Sequence, residues 1–283
     1  MTQRLLCLGL GYCAGFLAVR LGALGWQTAG SSRSEAGLAP LRAAGHEAYR
    51  WSREHPLLPD AAWEGTTHLL VSAPPDAEGD PVLDLLSDRL SGLSWIGYLS
   101  STGVYGDHEG AWVDEETPLQ APSSERARRR AAAEARWRAL AGELPLEVFR
   151  LGGIYGPGRS PLDRVRAGRA RRLDAPEHLF SRIHVEDVAG ALRAAIEQPR
   201  PGRVLNLVDD EPATSATVTE RACELLGVEP PPLVPFDLES LPPAVASFYR
   251  DRRRVRNARL REELGYELRY PTYREGLAAL LLD

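Results

Sequence analysis

Apolar residues in the first 157 positions fall into short runs, and segments with helical spacing separate these runs. Strands are predicted at 4–8, 26–29, 47–51, 68–72, 95–99 and 146–151. Helices are predicted up to residue 22, around 40–44, over 82–93 and over 125–140. Strands that alternate with helices form βαβ units, and their parallel sheet must be covered on both faces. The pattern therefore predicts an α/β fold with a doubly wound parallel sheet.

The pattern changes after the turn Tyr155-Gly156-Pro157-Gly158. A basic segment over 159–172 precedes a strand-like run at 203–208, a helix at 215–226 and six prolines between residues 230 and 243. Dense proline favours loop-rich chain of the kind that covers a binding cleft, although a plain surface excursion has the same composition. We predict a first domain over 1–157, completed by about 183–208, and a small C-terminal lobe from 158–182 and 209–283 that covers a cleft.

Composition narrows the class of protein. The 283 residues are 43% apolar and 26% charged, as in an ordinary globular chain, and the net charge of -5 argues against a general attraction to nucleic acid. The 3 cysteines are too scattered for a disulfide framework or a zinc site. All 34 basic residues are arginine, so any mechanism that needs a lysine is excluded. We expect a cytoplasmic protein with a small-molecule substrate and without a metal, nucleic acid or membrane partner.

A glycine-rich turn links the first predicted strand to the first predicted helix. Gly9-Leu10-Gly11-Tyr12-Cys13-Ala14 matches the G-x-G-x-x-G/A fingerprint of dinucleotide binding. Gly9 permits the tight turn, Gly11 lets the backbone approach a pyrophosphate, and small Ala14 allows close packing of the helix on the strand. This setting predicts that the domain over 1–157 is a dinucleotide-binding Rossmann domain with a nicotinamide cofactor, and that the C-terminal lobe binds the substrate. Further candidate cofactor residues are Tyr12, Cys13, Ser72, Ala73 and Pro74.

The end of the second strand indicates which nicotinamide cofactor binds. An NAD site carries an acidic residue there for the ribose hydroxyls. This chain instead has Gly30-Ser31-Ser32-Arg33, whose two hydroxyls and guanidinium suit a 2′-phosphate. We predict NADP(H) in preference to NAD(H); the alternative is that Arg33 is only a solvated loop charge.

Several segments, in this order and spacing, resemble the extended short-chain dehydrogenase/reductase superfamily, which includes epimerases and dehydratases of nucleotide sugars. The resemblance covers essentially the whole chain. Besides the glycine loop, the matching segments are Ser100-Ser101-Thr102-Gly103-Val104-Tyr105-Gly106-Asp107, Asp114-Glu115-Glu116-Thr117-Pro118-Leu119, Arg150 through Tyr155-Gly156-Pro157, Ile183-His184-Val185-Glu186-Asp187-Val188-Ala189 and Leu205-Asn206-Leu207-Val208-Asp209-Asp210-Glu211-Pro212.

The resemblance places Ser101 at the catalytic serine position, where its hydroxyl binds a substrate oxygen, with Thr102 next to it as a substrate residue. It also implies a Y-x-x-x-K pair, with the tyrosine as general acid and base. In our alignment Arg126 stands in the tyrosine place and Arg130 in the lysine place. A guanidinium cannot replace the phenol, because it stays protonated. Arg130 can still donate hydrogen bonds to the cofactor ribose, and Arg126 is counted as a substrate residue.

Three explanations for the missing pair remain open. Another group supplies the proton, and the candidates are Tyr105, Tyr155 and His184. Alternatively, water delivers the proton, or the protein binds the cofactor without turnover. Each of the three side chains also has a plain structural interpretation: the tyrosines as packed aromatics, and His184 as a bridge between local backbone groups.

The expected substrate departs from that of many relatives. The resemblance implies an asparagine two residues before the tyrosine of Y-G-P, in contact with a sugar diphosphate, and this position is Gly153. The basic run that begins at Arg159 suits an anionic substrate, or is a solvated helix face. We expect an NADP(H)-dependent oxidoreductase of a polar carbonyl or alcohol, or an epimerase that acts by transient oxidation. The alternative is a non-catalytic NADP(H)-binding sensor or scaffold protein. The resemblance further implies a homodimer.

Overall fold

The computed structural model describes residues 3–282, and within this range the chain forms two compact units. The first unit comprises the chain up to Ser100 together with residues 129–149 and 188–204. The second comprises residues 101–128, 150–187 and the chain from Leu205 onward. No helix among the described residues is long and apolar enough to cross a membrane.

Short strands and helices alternate along the chain. The strands are β1 (Arg4–Leu8), β2 (Gln27–Ser32), β3 (Glu47–Arg50), β4 (His68–Val71), β5 (Trp95–Ser101), β6 (Trp112–Val113), β7 (Leu146–Leu151), β8 (Gly153–Tyr155), β9 (Arg172–Asp174), β10 (Arg182–His184), β11 (Val204–Leu207), β12 (Leu233–Pro235) and β13 (Arg254–Val255). The helices are α1 (Tyr12–Gly22), α2 (Glu35–Ala43), α3 (Asp60–Trp63), α4 (Pro81–Leu85), α5 (Glu125–Ala139), α6 (Pro161–Arg166), α7 (Val185–Glu197), α8 (Ser215–Leu226), α9 (Pro243–Tyr249), α10 (Ala258–Glu262) and α11 (Tyr273–Ala279).

Seven strands form one parallel sheet, in the order β11-β7-β5-β4-β1-β2-β3. Strand β1 lies between β4 and β2, so that Leu6 pairs with Leu69 on one side and with Ala29 on the other. From β1 the chain first adds β2 and β3 on one side and then β4, β5, β7 and β11 on the other. This change of direction between β1 and β4 is the topology of the doubly wound dinucleotide-binding fold. The predicted α/β class with a Rossmann-type parallel sheet is confirmed.

Several elements differ from the sequence prediction in their bounds or were not predicted. Strand β2 extends to Ser32, beyond the predicted end at residue 29. The helix predicted over 82–93 ends at Leu85, because Leu86 has φ -136° and ψ 14°, and a short 3-10 turn follows at Ser87–Arg89. The sequence pattern also did not predict α7, most of whose apolar side chains are buried.

Helix α5 is anchored to the start of α4 within the first unit. The indole of Trp137 stacks on Tyr98 with ring centroids 5.5 Å apart and donates to Oδ2 of Asp80 at 3.1 Å. The other carboxylate oxygen of Asp80 accepts from the backbone N–H groups of Val82 and Leu83, which caps α4. One buried carboxylate therefore fixes two helices in the core of this unit.

The second unit contains three two-stranded parallel sheets, β8 with β10, β9 with β12, and β6 with β13. Tyr155, Leu162, Val218 and Leu277 belong to its larger hydrophobic core, which α6, α8 and α11 supply in part. The pairing of Trp112 with Arg254 joins segments far apart in sequence. This pairing positions residues 250–253, the arginine-rich segment that precedes β13.

His68 gives the first unit a sensitivity to acid. Its ring is buried, packs 4.7 Å from Trp26 between ring centroids, and contacts the Thr67 hydroxyl through Nδ1 at 2.8 Å. Burial lowers the pKa of His68 from 6.5 to about 4. The unfolded chain therefore takes up a proton that the folded protein excludes, and stability is lost as the pH falls from 6.5 towards 4.

This pKa difference predicts that unfolding free energy falls by roughly 3 kcal/mol across that pH range. Urea denaturation at a series of pH values measures the effect. His68→Gln should remove most of the slope between pH 6.5 and 4, whereas His46→Gln, a change at another histidine, should retain it. An equal slope in wild type and His68→Gln would assign the acid sensitivity to other groups.

Candidate functional site

The first residue of the glycine loop has a backbone conformation that favours glycine. Gly9 has φ +90°, and a Cβ atom there would lie 2.9 Å from the backbone nitrogen of Ala73. The Gly9 N–H donates to Oγ of Ser31 at 3.0 Å. Both the turn and its close approach to the chain after β4 therefore require glycine at this position.

The start of α1 faces open space. Gly11 is the N-cap of the helix and provides no side-chain cap, and no described atom outside its immediate chain neighbours lies within 4 Å of the position of a Gly11 Cβ. Ala14 and Cys13 are buried beneath the loop, and the half-buried Tyr12 packs edge-on against Phe16. The N-terminal end of a helix attracts an anion, so the loop fits the pyrophosphate of a nicotinamide dinucleotide.

The three residues at the end of β2 occupy different environments. Ser31 is 2% exposed, and its hydroxyl oxygen accepts from Gly9, so it shapes the glycine loop from inside. Ser32 is half-buried. Arg33 is exposed, and within residues 3–282 it makes neither a hydrogen bond nor an ion pair. The guanidinium of Arg33 is therefore available to a ligand.

The segment after β4 lies against the same glycine loop. The backbone N–H groups of Ser72 and Ala73 both donate to the carbonyl oxygen of Leu8, at 2.9 and 2.8 Å. Pro74, the next residue, is exposed. The structure thus brings these three predicted cofactor residues together with Gly9.

Arg130 lies on α5 against the end of β5. Its Nη1 donates to the hydroxyl of Tyr98 at 3.0 Å and to the carbonyl oxygen of Leu99 at 2.9 Å. One turn further along α5, the buried carboxylate of Glu134 accepts from the Ser100 hydroxyl at 2.5 Å. These bonds fix the position of Arg130, and its contact with the cofactor ribose stays a prediction.

In the second unit, Ser101 ends β5 and begins a 3-10 turn at Thr102–Tyr105. Its Oγ accepts from the Gly103 N–H at 3.1 Å. The hydroxyl hydrogen of Ser101 remains available to donate, and the residue is partly exposed, whereas Thr102 is buried. The geometry allows Ser101 to donate to an external oxygen atom, and its role in substrate binding stays a prediction.

Tyr105 is buried, and its hydroxyl has a structural partner. The O–H donates to Oδ1 of Asn206 at 2.9 Å, and the guanidinium carbon of the buried Arg150 lies 4.7 Å from the ring centroid. Burial raises the pKa of Tyr105. These contacts favour the structural interpretation, and a role in proton transfer stays a prediction.

The structure brings Tyr155 and His184 together. Their rings meet edge-on at 5.1 Å, and the His184 ring lies 4.2 Å from that of Tyr270. Nδ1 of His184 accepts from the Glu186 N–H at 3.2 Å. Both side chains are buried, and burial raises the pKa of Tyr155. The contacts match the structural interpretation of both, and acid roles for them stay predictions.

The remaining predicted substrate residues are exposed. Gly153 lies in β8, and a Cβ there would be 3.6 Å from Cγ of Arg182, an ordinary contact. Arg159 follows the turn at Gly158. The guanidinium carbon of Arg126 lies 5.2 Å from the ring centroid of Phe248. Their roles in substrate binding stay predictions.

Arg253 is a candidate that sequence reasoning did not single out: the arginine cluster as a whole was expected to be structural or to face the substrate. Its Nη1 donates to the carbonyl oxygen of Gly106 at 3.1 Å, so the side chain reaches the loop after β5. Its Nη2 lies 3.9 Å from the position that a Gly103 Cβ would occupy. The cluster of seven arginines between 250 and 261 was visible in the sequence, but the contact depends on the pairing of β6 with β13.

The two units thus contain a nucleotide-binding loop and a serine-containing turn of the kinds found in Rossmann-type nucleotide enzymes. Protein YeeZ of Escherichia coli K12 is 30% identical over an alignment 284 positions long, gaps included. The alignment covers 95% of this chain and 97% of YeeZ. A functionally unknown conserved protein from Silicibacter pomeroyi is 49% identical, with a TM-score of 0.92 over 100% of this chain and 99% of that one.

Two further matches are a reductase and a protein solved with NADPH. The 3-diazoavenalumate denitrifying reductase of a Streptomyces species is 31% identical over 179 residues, 58% of each chain. The human epimerase family protein SDR39U1, solved with NADPH, has a TM-score of 0.75 at 20% identity over 100% of both chains, and this likeness shows the fold alone. No family model matches the chain. The chain belongs to the same family as YeeZ, and its fold is that of the solved epimerase and dehydratase structures of the short-chain dehydrogenase/reductase type.

Proposed function

We propose that the protein is an NADP(H)-dependent oxidoreductase of a polar carbonyl or alcohol substrate. The observation that carries the proposal is the exposed guanidinium of Arg33, free of partners among the described residues, directly after the strand that supports the glycine loop. A free arginine at this strand end suits a 2′-phosphate, whereas an acidic residue suits NAD. The similarity to a reductase supports the same class of reaction.

Separate groups of residues would bind the cofactor and the substrate. The N–H groups at the start of α1 bind the pyrophosphate, and Ser32 with Arg33 binds the 2′-phosphate. NADP(H), when bound, supplies or accepts the hydride. The Ser101 hydroxyl donates to the reacting oxygen, and its own oxygen is held by Gly103 N–H. Epimerisation by transient oxidation would use the same residues.

Fluorescence titration with NADPH and with NADH tests the cofactor assignment. Charge-assisted hydrogen bonds contribute about 1.5–3 kcal/mol, so Arg33→Ala should weaken NADPH binding by about 10- to 100-fold. NADH binding should change by less than about threefold, because NADH lacks the 2′-phosphate. Arg42→Ala is the matched control, since this exposed arginine is already paired with Glu35 at 2.5 Å. Failure of the wild-type protein to bind either nucleotide would contradict the proposal.

A second candidate function is a non-catalytic NADP(H)-binding sensor or scaffold. The hydrogen bonds of Arg130 to Tyr98 and Leu99, and the buried hydroxyl of Tyr105, favour it, because they assign structural roles to candidate catalytic groups. A screen of carbonyl compounds for NADPH oxidation separates the two functions. Tight NADPH binding without oxidation of NADPH by any compound would support the sensor.

A further inference from the structure

The arginine cluster between Arg250 and Arg261 contains one member unlike the others. Four of its arginines pair with carboxylates: Arg250 with Glu239, Arg252 with Glu177, Arg259 with Glu116 and Glu263, and Arg261 with Asp210. Arg254 and Arg256 each lie 5.1 Å from the ring centroid of Trp112. Among residues 3–282, Arg253 alone in this cluster has neither an ion pair nor an aromatic ring beneath its guanidinium.

The guanidinium of Arg253 is only partly satisfied by the protein. Nη1 donates to the carbonyl oxygen of Gly106 at 3.1 Å and, at 3.5 Å, to that of Asp251. Nε is buried and donates to no described atom. A desolvated cation without a carboxylate partner is costly, so such an arginine is usually found where an anionic ligand completes the site.

The acidic side chains nearest Arg253 already bind other groups. Both carboxylate oxygens of Asp251 accept from the Ser123 N–H at 3.2 Å. Oδ1 of Asp107 accepts from the Arg252 N–H at 2.7 Å and from the Glu109 N–H at 3.2 Å. These carboxylates lower the local cost of the positive charge, but neither lies within 4 Å of the Arg253 guanidinium.

Nη2 of Arg253 makes no hydrogen bond to a described residue, and it lies near the serine turn, the 3-10 turn that begins at Ser101. Nη2 of Arg253 lies 3.9 Å, and Oγ of Ser101 3.3 Å, from the position that a Gly103 Cβ would occupy. Residue 103 is glycine, so its Cβ position is unoccupied; Cβ of Ala127 borders this position as well, at 3.5 Å. Two hydrogen-bond donors, one of them charged, therefore border the same small gap.

We propose that Arg253 binds an oxyanion group of the substrate beside Ser101, so that the substrate is an acid as well as a carbonyl or alcohol compound. This inference rests on the proposed function, because it takes the turn after Ser101 as the place where substrate binds. The guanidinium supplies charge-assisted hydrogen bonds to the oxyanion, while the serine hydroxyl donates to the reacting oxygen. Both carboxylate and phosphate have this chemistry.

Isothermal titration of the full-length protein with sodium oxalate and with inorganic phosphate, at constant ionic strength, tests the inference. We expect one of the two to bind, and the preferred anion identifies the source as a carboxylate or a phosphate. Arg253→Gln should weaken that binding by at least about tenfold, the loss expected for one charge-assisted bond. Arg252→Gln removes the neighbouring arginine, which is paired with Glu177, and should change it by less than about twofold.

Gly103→Ala provides a test that keeps the charge. A methyl group there enters the gap between Nη2 and Oγ, and we expect loss of anion binding with NADPH binding retained. Equal anion affinity in wild type, Arg253→Gln and Gly103→Ala, or no binding of either anion to wild type, would overturn the inference. Anion binding without NADPH binding would contradict the proposed cofactor while Arg253 keeps its role as an anion-binding residue.

Discussion

Replacement of Ser101 by alanine is expected to lower the turnover number by about 10²- to 10³-fold, the usual effect of removing one donor to a reacting oxygen. NADPH affinity should change by less than about twofold, because the serine turn lies outside the glycine loop in sequence. The measurement is NADPH oxidation with any carbonyl compound that the screen identifies, alongside nucleotide titration of the same variant.

The effect of Ser101→Ala on stability should be small. Its Oγ accepts one backbone N–H, from Gly103 at 3.1 Å, and loss of such a cap costs about 1 kcal/mol. Thr214→Ala is the matched control: Thr214 caps α8 by accepting from the Thr217 N–H at 3.0 Å. It should lose similar stability and keep full turnover. Turnover retained by Ser101→Ala would remove this residue from the reacting centre.

The first half of the fold was predictable because its signals are local. Strand β1, the glycine turn and α1 follow one another within 22 residues, and each predicts its own structure from spacing and residue type. The same holds for α8, whose helical spacing ends at Gly227 with φ 64°. The predicted bounds of α8 were confirmed.

The second half was less predictable because its elements depend on distant partners. Strands β6 and β13 have two residues each and exist because they pair with each other across about 140 positions. Helix α7 is different: Val185, Val188 and Leu192 have regular helical spacing, so its signal is present in the sequence and the prediction missed it. Short strands with remote partners leave little signal in a single sequence.

The residues of the candidate site also divide into those with a local sequence signal and those that depend on distant contacts. The glycine loop and Arg33 were found because a motif and a strand end place them. Arg253 was not found, since its importance comes from the approach of residue 253 to Gly103 and Gly106 in the folded chain. Sequence reasoning assigned Ser31 to the phosphate, whereas its buried hydroxyl binds Gly9. Ser31 is buried and Ser32 is half-buried, and this difference distinguishes the serine that shapes the loop from the serine that can reach a phosphate. The sequence alone does not show it.

Replacement of Asp187 by alanine is expected to lower the free energy of unfolding by about 3 kcal/mol, since it leaves several donors without an acceptor. The Asp187 carboxylate is fully buried in the first turn of α7. Oδ1 accepts from the Tyr266 hydroxyl at 2.9 Å and from the Arg269 N–H at 2.6 Å, and Oδ2 accepts from the Tyr270 N–H at 3.1 Å. Within the second unit, one side chain thus joins residue 187 to the C-terminal segment.

A graded series tests this assignment by chemical denaturation. Tyr266→Phe removes one donor and should cost about 1 kcal/mol, while Asp187→Asn keeps one acceptor oxygen and should fall between Tyr266→Phe and Asp187→Ala. Because Tyr270 packs on His184 at 4.2 Å, loss of Asp187 should also change the environment of that ring, measurable as a shift of its NMR resonances. If Asp187→Ala cost no more than Tyr266→Phe, the backbone donors would have found other acceptors, and the C-terminal segment would not depend on this carboxylate.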